Sequence, residues 1–174
     1  MAKYLDQTGL TYFWGKIKSL VSGQIATSVE AAKRGQALRG YATNIAVSSG
    51  YTQVHPSLTE VTDTDSDFVI YSGGKITIQK NGVYSIDMSA LWDTNATNKI
   101  LWIGTSKNGS SALNSESSMC LSTPSKSYKP YVNYTGNISL DRGDTIVPTL
   151  MANIGGATCS KLRINVTYNG QAGE

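Results

Sequence analysis

The single histidine, His55, stands beside Pro56 and is the natural place to look for acid–base chemistry. A lone imidazole can act as a base, but no recognisable nucleophile motif pairs it with a serine or cysteine. No GxGxxG turn, phosphate-binding loop or HExxH helix occurs, and no legible pair of catalytic carboxylates appears. Asp63, Asp65 and Asp67 alternate in a Thr/Ser-rich stretch, a spacing of oxygen ligands that suits calcium. An EF-hand counted from Asp63 would need glycine at its sixth position and glutamate at its twelfth, where Phe68 and Gly74 stand. The expectation is a solvated acidic loop, with no metal site and no cofactor. Asp141 and Asp144 flank Arg142-Gly143 and read as turn formers.

Sugar binding is the chemistry that the composition best allows. An aromatic face can lie against the apolar side of a sugar while amides and carboxylates bond its hydroxyls. Trp92, Asp93, Asn95 and Asn98 cluster at a strand end and the following loop. Tyr128, Tyr131 and Tyr134 stand near Lys126 and Lys129. The candidate glycan-binding residues are therefore Tyr128, Tyr131, Trp92, Asp93 and Asn95, although Trp92 also fits a packing role.

Charged residues make up only 16% of the 174 positions, below the usual quarter or so. The polar surface is built from Ser, Thr, Asn and Gly instead, as in many extracellular and fibre proteins. The net charge of +3 is uneven: residues 1–40 hold six Lys/Arg against two acids, and residues 41–174 hold nine against ten. That is too sparse for a nucleic-acid-binding face. No run of 18 apolar residues occurs, so no membrane-spanning helix is expected. The N-terminus is amphipathic and interrupted by charge, unlike a secretory signal peptide. The expectation is synthesis in a host cytoplasm without an export signal. Cys120 and Cys159 show no zinc-site spacing, and a free or a paired state stays open.

The elements that must position these residues fall into two regimes. Leu10, Phe13, Trp14, Ile17, Leu20 and Val21 recur at spacings of three and four, one face of an N-terminal helix. Asp6 is its expected cap, and Lys16 and Lys18 lie toward its C-terminal end. Ser22-Gly23 is expected to break or kink it. Residues 22–40 then read as a second helix or a flexible linker.

From Tyr41 the period changes from helical to two. Strands are expected at 43–47, 68–71, 75–79, 84–92, 99–105, 119–121, 131–140, 145–152 and 161–168. Tyr84, Ile86, Met88, Ala90 and Trp92 share one face, as do Leu162, Ile164, Val166 and Tyr168. Ile100–Ile103 is apolar on both faces and reads as a strand covered on both sides. Asn81-Gly82 is expected as a tight hairpin turn, and Pro148 as an edge or a bulge. Eight to ten short strands with turn residues between them imply an antiparallel jelly-roll β-sandwich over 41–174. The fold is therefore mainly β, with an N-terminal amphipathic helical anchor at 1–21 and a linker at 22–40.

Two resemblances rest on these residues. Tyr4-Leu5-Asp6, Gly9-Leu10, Phe13-Trp14 and Lys16-Ile17-Lys18 resemble the N-terminal segment of phage tail, baseplate and fibre proteins. Ile76–Ile86, with its Gly82-Val83-Tyr84, resembles the core of tumour-necrosis-factor-like and complement-type globular heads, and Leu140–Ile146 resembles their later Leu-x-x-Gly-Asp-x-Val element. Their usual Gly-Phe opening of the last strand is replaced here by Lys161-Leu162. The resemblances imply a non-enzymatic virion protein of a tail, baseplate or head fibre, located in the virion and assembled as a homotrimer. They assign virion attachment or oligomerisation to Leu10, Phe13, Trp14, Ile17, Leu20 and Val21, through packing of three copies or docking on other virion proteins. The head would touch the host surface, its glycans included, without membrane insertion. A capsid decoration protein without a receptor role and a bacterial carbohydrate-binding module remain alternatives.

Overall fold

The computed structural model describes residues 7–32, 35–47, 53–94, 100–110, 118–122, 129–153 and 156–171. The chain divides into two compact units, Met1–Lys33 and Arg34–Glu174. Among the described residues, no helix is long and apolar enough to cross a membrane.

Among its described residues the first unit forms one helix, α1 (Gln7–Ala32). The expected cap Asp6 lies outside the described residues. The helix does not break at Ser22-Gly23 but runs through it. One glycine inside a helix costs only about 1 kcal/mol relative to alanine, too little to interrupt an otherwise continuous ladder. Much of the expected linker is therefore helical, and the strands start earlier than position 41.

The second unit is a sandwich of two five-stranded antiparallel sheets. Its strands are β1 (Gly35–Val47), β2 (Glu60–Thr64), β3 (Val69–Ser72), β4 (Lys75–Ile78), β5 (Gly82–Thr94), β6 (Ile100–Lys107), β7 (Ser118–Ser122), β8 (Tyr131–Leu140), β9 (Thr145–Ala152) and β10 (Ala157–Tyr168). One sheet has the order β2-β1-β10-β5-β8 and the other β3-β4-β9-β6-β7. The core lies between them. Tyr84, Ile86, Met88, Ala90 and Trp92 of β5 point into it, as do Leu162, Ile164, Val166 and Tyr168 of β10. Period two makes this possible, because alternate side chains of a strand share a face. In β10 the buried positions switch from Ala157 and Cys159 to Leu162, where a register shift falls between Cys159 and Lys161. An extra residue flips the inward parity, as a bulge does.

Two turns lean on glycine, and the second differs from expectation. Gly73 and Gly74, both with positive φ, close the β3–β4 hairpin. Asn81-Gly82 closes no hairpin, because β4 and β5 belong to different sheets. Gly82 is needed for close approach instead: a Cβ there would run into the Tyr168 ring and the Gly170 carbonyl. Tyr168 stacks on Phe68 at 4.6 Å between centroids and lies 5.2 Å from the Tyr84 ring. The Tyr84 and Tyr168 hydroxyls donate to the carbonyls of Lys80 and Asn81. The Gly-x-Tyr motif is thus an aromatic knot that fixes the crossing between the sheets.

The acidic stretch is not simply a loop. Asp63 belongs to edge strand β2 and pairs with Arg39 of β1, while Asp65 caps a turn by accepting the Asp67 N–H at 3.0 Å. Pro148 lies on β9, inside its sheet rather than at an edge. Proline is tolerated because β9 pairs with β4 only through Thr145 and Ile146, and with Val54 at Leu150. Even-numbered residues face that side, so the missing N–H of Pro148 falls in the gap between the two contacts.

Candidate functional site

The helix carries the most conspicuous surface. On a wheel of 100° per residue, Leu10, Phe13, Trp14, Ile17, Leu20, Val21 and Ile25 fall within an arc of about 140°. Phe13, Trp14 and Leu20 are 50%, 54% and 67% exposed, and Ile17 is partly buried. Phe13 and Trp14 meet edge to face at 6.4 Å. Tyr12 lies outside this arc, where the Lys16 ammonium sits 5.6 Å from its ring centre. The residues assigned to attachment thus form one stripe.

The glycan candidates separate. Trp92 is fully buried in the sandwich, and its indole N–H finds no hydrogen-bond partner. Its ring offers no face to a sugar, because its position on β5 has the inward parity of Tyr84 and Ile86. Tyr134 is also buried, packed over Gly136, where a Cβ would strike its hydroxyl. Tyr131 is 55% exposed at the start of β8, opposite Leu91 of β5. Near it, Asp93 pairs with Lys129 at 3.3 Å, and both side chains are exposed. Asn95 and Tyr128 lie outside the described residues.

The other candidates are structural. His55 Nδ1 is 3.0 Å from the Thr149 hydroxyl, which is 2.9 Å from the Ser106 hydroxyl. Thr149 and Ser106 are buried, so this chain of hydroxyls gives polar atoms partners inside the sandwich. Cys159 is a buried free thiol that burial pushes up to about 12, so it is a poor nucleophile. The side chain of Cys120 lies outside the described residues. Among the described residues no three His, Cys, Asp or Glu side chains gather as a metal site.

Asp144 ties the β8–β9 turn to the end of β6. It accepts from Lys107 Nζ at 2.6 Å, from Asn108 Nδ2 at 2.7 Å and from the Asp141 N–H at 2.9 Å. Burial pushes its carboxyl up, but these bonds and the Lys107 charge outweigh burial and hold it at about 2, below its ordinary 3.8. A depressed carboxyl stabilises the fold above its unfolded value and loses that contribution as pH falls from about 4 to about 2. Asp144→Asn is expected to cost about 1–2 kcal/mol at neutral pH, discounted for the partly exposed Lys107. Urea melts of both proteins at several pH values check this: the variant's deficit should shrink through that acid window.

Sequence reasoning did not find the open face of the β2-β1-β10-β5-β8 sheet. Register places two rows across it. Tyr41, Arg163, Ser89 and Asn133 form one row; Arg39, Asn165, Asp87 and Thr135 form the next. These residues line a groove of about 580 Å³, together with Lys161. The Lys161 ammonium lies 4.9 Å from the centre of the Tyr41 ring, and the Tyr41 hydroxyl donates to Glu60 at 2.6 Å. That bond to Glu60 raises the Tyr41 hydroxyl pKa. The sequence signal was the polar half of each alternating strand, but alternation does not say which strands are neighbours.

No family model and no curated protein matches the chain. Solved structures do match. The globular domain of zebrafish complement 1qA superposes with a TM-score of 0.58 at 18% identity, over 79% of this chain and 98% of that one. Murine APRIL at pH 8.0 gives 0.54 at 12% identity, over 78% and 99%. The head is a complement- and tumour-necrosis-factor-like jelly roll. The PRD1 vertex protein P5 shares the architecture with a TM-score of 0.50 at 14% identity, over 78% of this chain and 73% of that one. At these identities the likeness shows the fold.

Proposed function

We propose that the chain is a non-enzymatic virion structural protein of a tail, baseplate or head fibre. Its helix attaches it to the particle, and three copies present the jelly-roll head to the host surface. The observation that carries this reading is the exposed apolar stripe of α1 in a chain whose sandwich buries its own core. Leaving so many large apolar side chains in water is costly, and a contiguous apolar patch marks an interaction surface. Fold similarity to complement- and tumour-necrosis-factor-type heads supports self-association of the second unit. The N-terminal resemblance to phage fibre proteins supports the particle.

A second reading is favoured by one finding. The similarity to the PRD1 vertex protein suits a capsid decoration protein that binds the shell and has no receptor role. The experiment is particle assembly with the double variant Phe13→Asp/Ile17→Asp, followed by host adsorption of particles that bear the unaltered chain and of particles that lack the protein. Loss of the variant from particles supports attachment through α1. Normal adsorption by particles that lack the protein favours decoration over host binding. Retention of the variant at wild-type copy number overturns the anchor.

A further inference from the structure

We propose that copies of the head recognise one another by a charge lock on the β2-β1-β10-β5-β8 sheet, in which the Arg163 guanidinium of one copy bonds the Asp87 carboxylate of the next. This rests on the reading of three copies presenting the head. It names the residues that decide which chains join and how the assembly answers to salt.

The face of this sheet carries both signs of charge. Arg39, Lys161 and Arg163 stand on it with Glu60 and Asp87. A surface of one sign fits a partner of the other sign, whereas a surface of both signs fits a copy of itself. Within one copy most of these charges are engaged. Glu60 accepts the Tyr41 hydroxyl at 2.6 Å, and the Lys161 ammonium sits 4.9 Å from the centre of the Tyr41 ring. Arg39 donates to the Gln36 side chain at 3.4 Å. Arg163 and Asp87 are left over. Among the described residues neither has an ion-pair partner. Arg163 stands opposite Ser89 and Asp87 opposite Asn165, so the two are diagonal neighbours on β10 and β5. Such positions lie about 7–8 Å apart, and no bond closes across that gap.

Asn165 points the same way. Its Oδ1 is buried without a hydrogen-bond partner, and it lines the same groove of about 580 Å³ as Asp87 and Arg163. An unsatisfied buried acceptor is costly. A guanidinium carries five N–H donors in a fixed fork. An arginine reaching in from another copy can bond Asp87 through two of them and give a third to the Asn165 amide, once that amide turns toward the groove.

A ring of copies suits this pair. Its contacts are head to tail, so each copy offers one part of its surface and receives a different part of its neighbour's. Arg163 and Asp87 are different parts of one face. Each copy then gives one arginine and takes one, and a ring of three closes three such bonds. Once the face is covered, neither charge can be left alone, because removing one partner of a buried pair is strongly destabilising.

The test is sedimentation equilibrium of the full chain at about 0.15 M and about 1 M salt. The variants are Asp87→Arg, Arg163→Asp and the double exchange Asp87→Arg/Arg163→Asp. Each single exchange sets like charges face to face and should weaken assembly by at least about a hundredfold. The double exchange restores opposite signs and should recover at least about tenfold of that loss. Salt should loosen the wild type but tighten the single variants, since it screens attraction in the first and repulsion in the second. Near-ultraviolet dichroism shows whether each head keeps its packed core. Where an exchange unfolds it, Asp87→Asn and Arg163→Gln take its place, each with an expected loss of at least about tenfold. Single exchanges that assemble as tightly as the wild type, or a double exchange no better than the weaker single one, overturn the lock; a wild-type trimer in that case leaves the three-copy reading standing. A wild-type dimer with the same charge dependence keeps the lock and overturns the three copies. A wild type that stays at 18.6 kDa overturns both.

Discussion

Gly82→Ala is expected to be the most damaging single methyl in the head. A Cβ at this position meets the Gly170 carbonyl and the Tyr168 ring, and φ is +154°, where side chains are rarely found. The neighbours cannot yield. Val83 N donates to Gly170 O at 2.9 Å, and Asn169 N donates back to Val83 O at 2.8 Å, so the end of β10 is tied to the start of β5. Tyr168 is held between Phe68 and Tyr84. The methyl must therefore either break these bonds or push Tyr168 out of the knot. Overpacking and backbone strain together should cost about 3 kcal/mol or more. Gly109→Ala supplies the contrast. Gly109 also has positive φ, at +73°, but a Cβ there would meet nothing within 4 Å. Only backbone strain remains, about 1 kcal/mol. Chemical denaturation of the two variants checks the difference. Equal losses would show that the close approach at Gly82 is not what makes glycine necessary.

The second large effect belongs to α1 and concerns assembly rather than folding. Phe13 and Ile17 lie one turn apart in the apolar stripe. Burying two such side chains on a partner is worth about 3–6 kcal/mol. Replacing both with aspartate forfeits that and places two charges in the contact. Affinity for the partner should fall at least about a hundredfold, since each 1.4 kcal/mol or so is a factor of ten. In proteins most helical stability comes from packing of an apolar face, so α1 gains stability from what covers it. The head's stability should stay within about 0.5 kcal/mol of wild type, the usual range for substitutions away from packed features. A double variant that unfolds the head would contradict the division into two units.

Much of the fold could be read before the structure because the strands keep a strict period of two. Tyr84 to Trp92 and Leu162 to Tyr168 both put their apolar halves inward, as expected. The misreadings have physical causes. Gly35–Val47 includes Ala37 and Leu38, adjacent residues that are both buried because the register shifts between Gln36 and Leu38. That doubled apolar pair hid the alternation and made the segment look like a helical linker. Asn81-Gly82 has the composition of a hairpin turn, but composition cannot show that its two strands enter different sheets. Trp92 stood next to polar residues at a strand end, and only its parity, shared with Tyr84, marked it as core. The groove was the least legible feature. Arg39, Asp87 and Arg163 are distant in sequence and meet only through the pairing of β1, β10 and β5.

A chain that assembles through surfaces left uncovered in a single copy must show it in its mass. Sedimentation equilibrium of the full chain is the most direct measurement. A species of three times 18.6 kDa that persists on dilution is expected. A single 18.6 kDa species at all concentrations would contradict trimeric assembly.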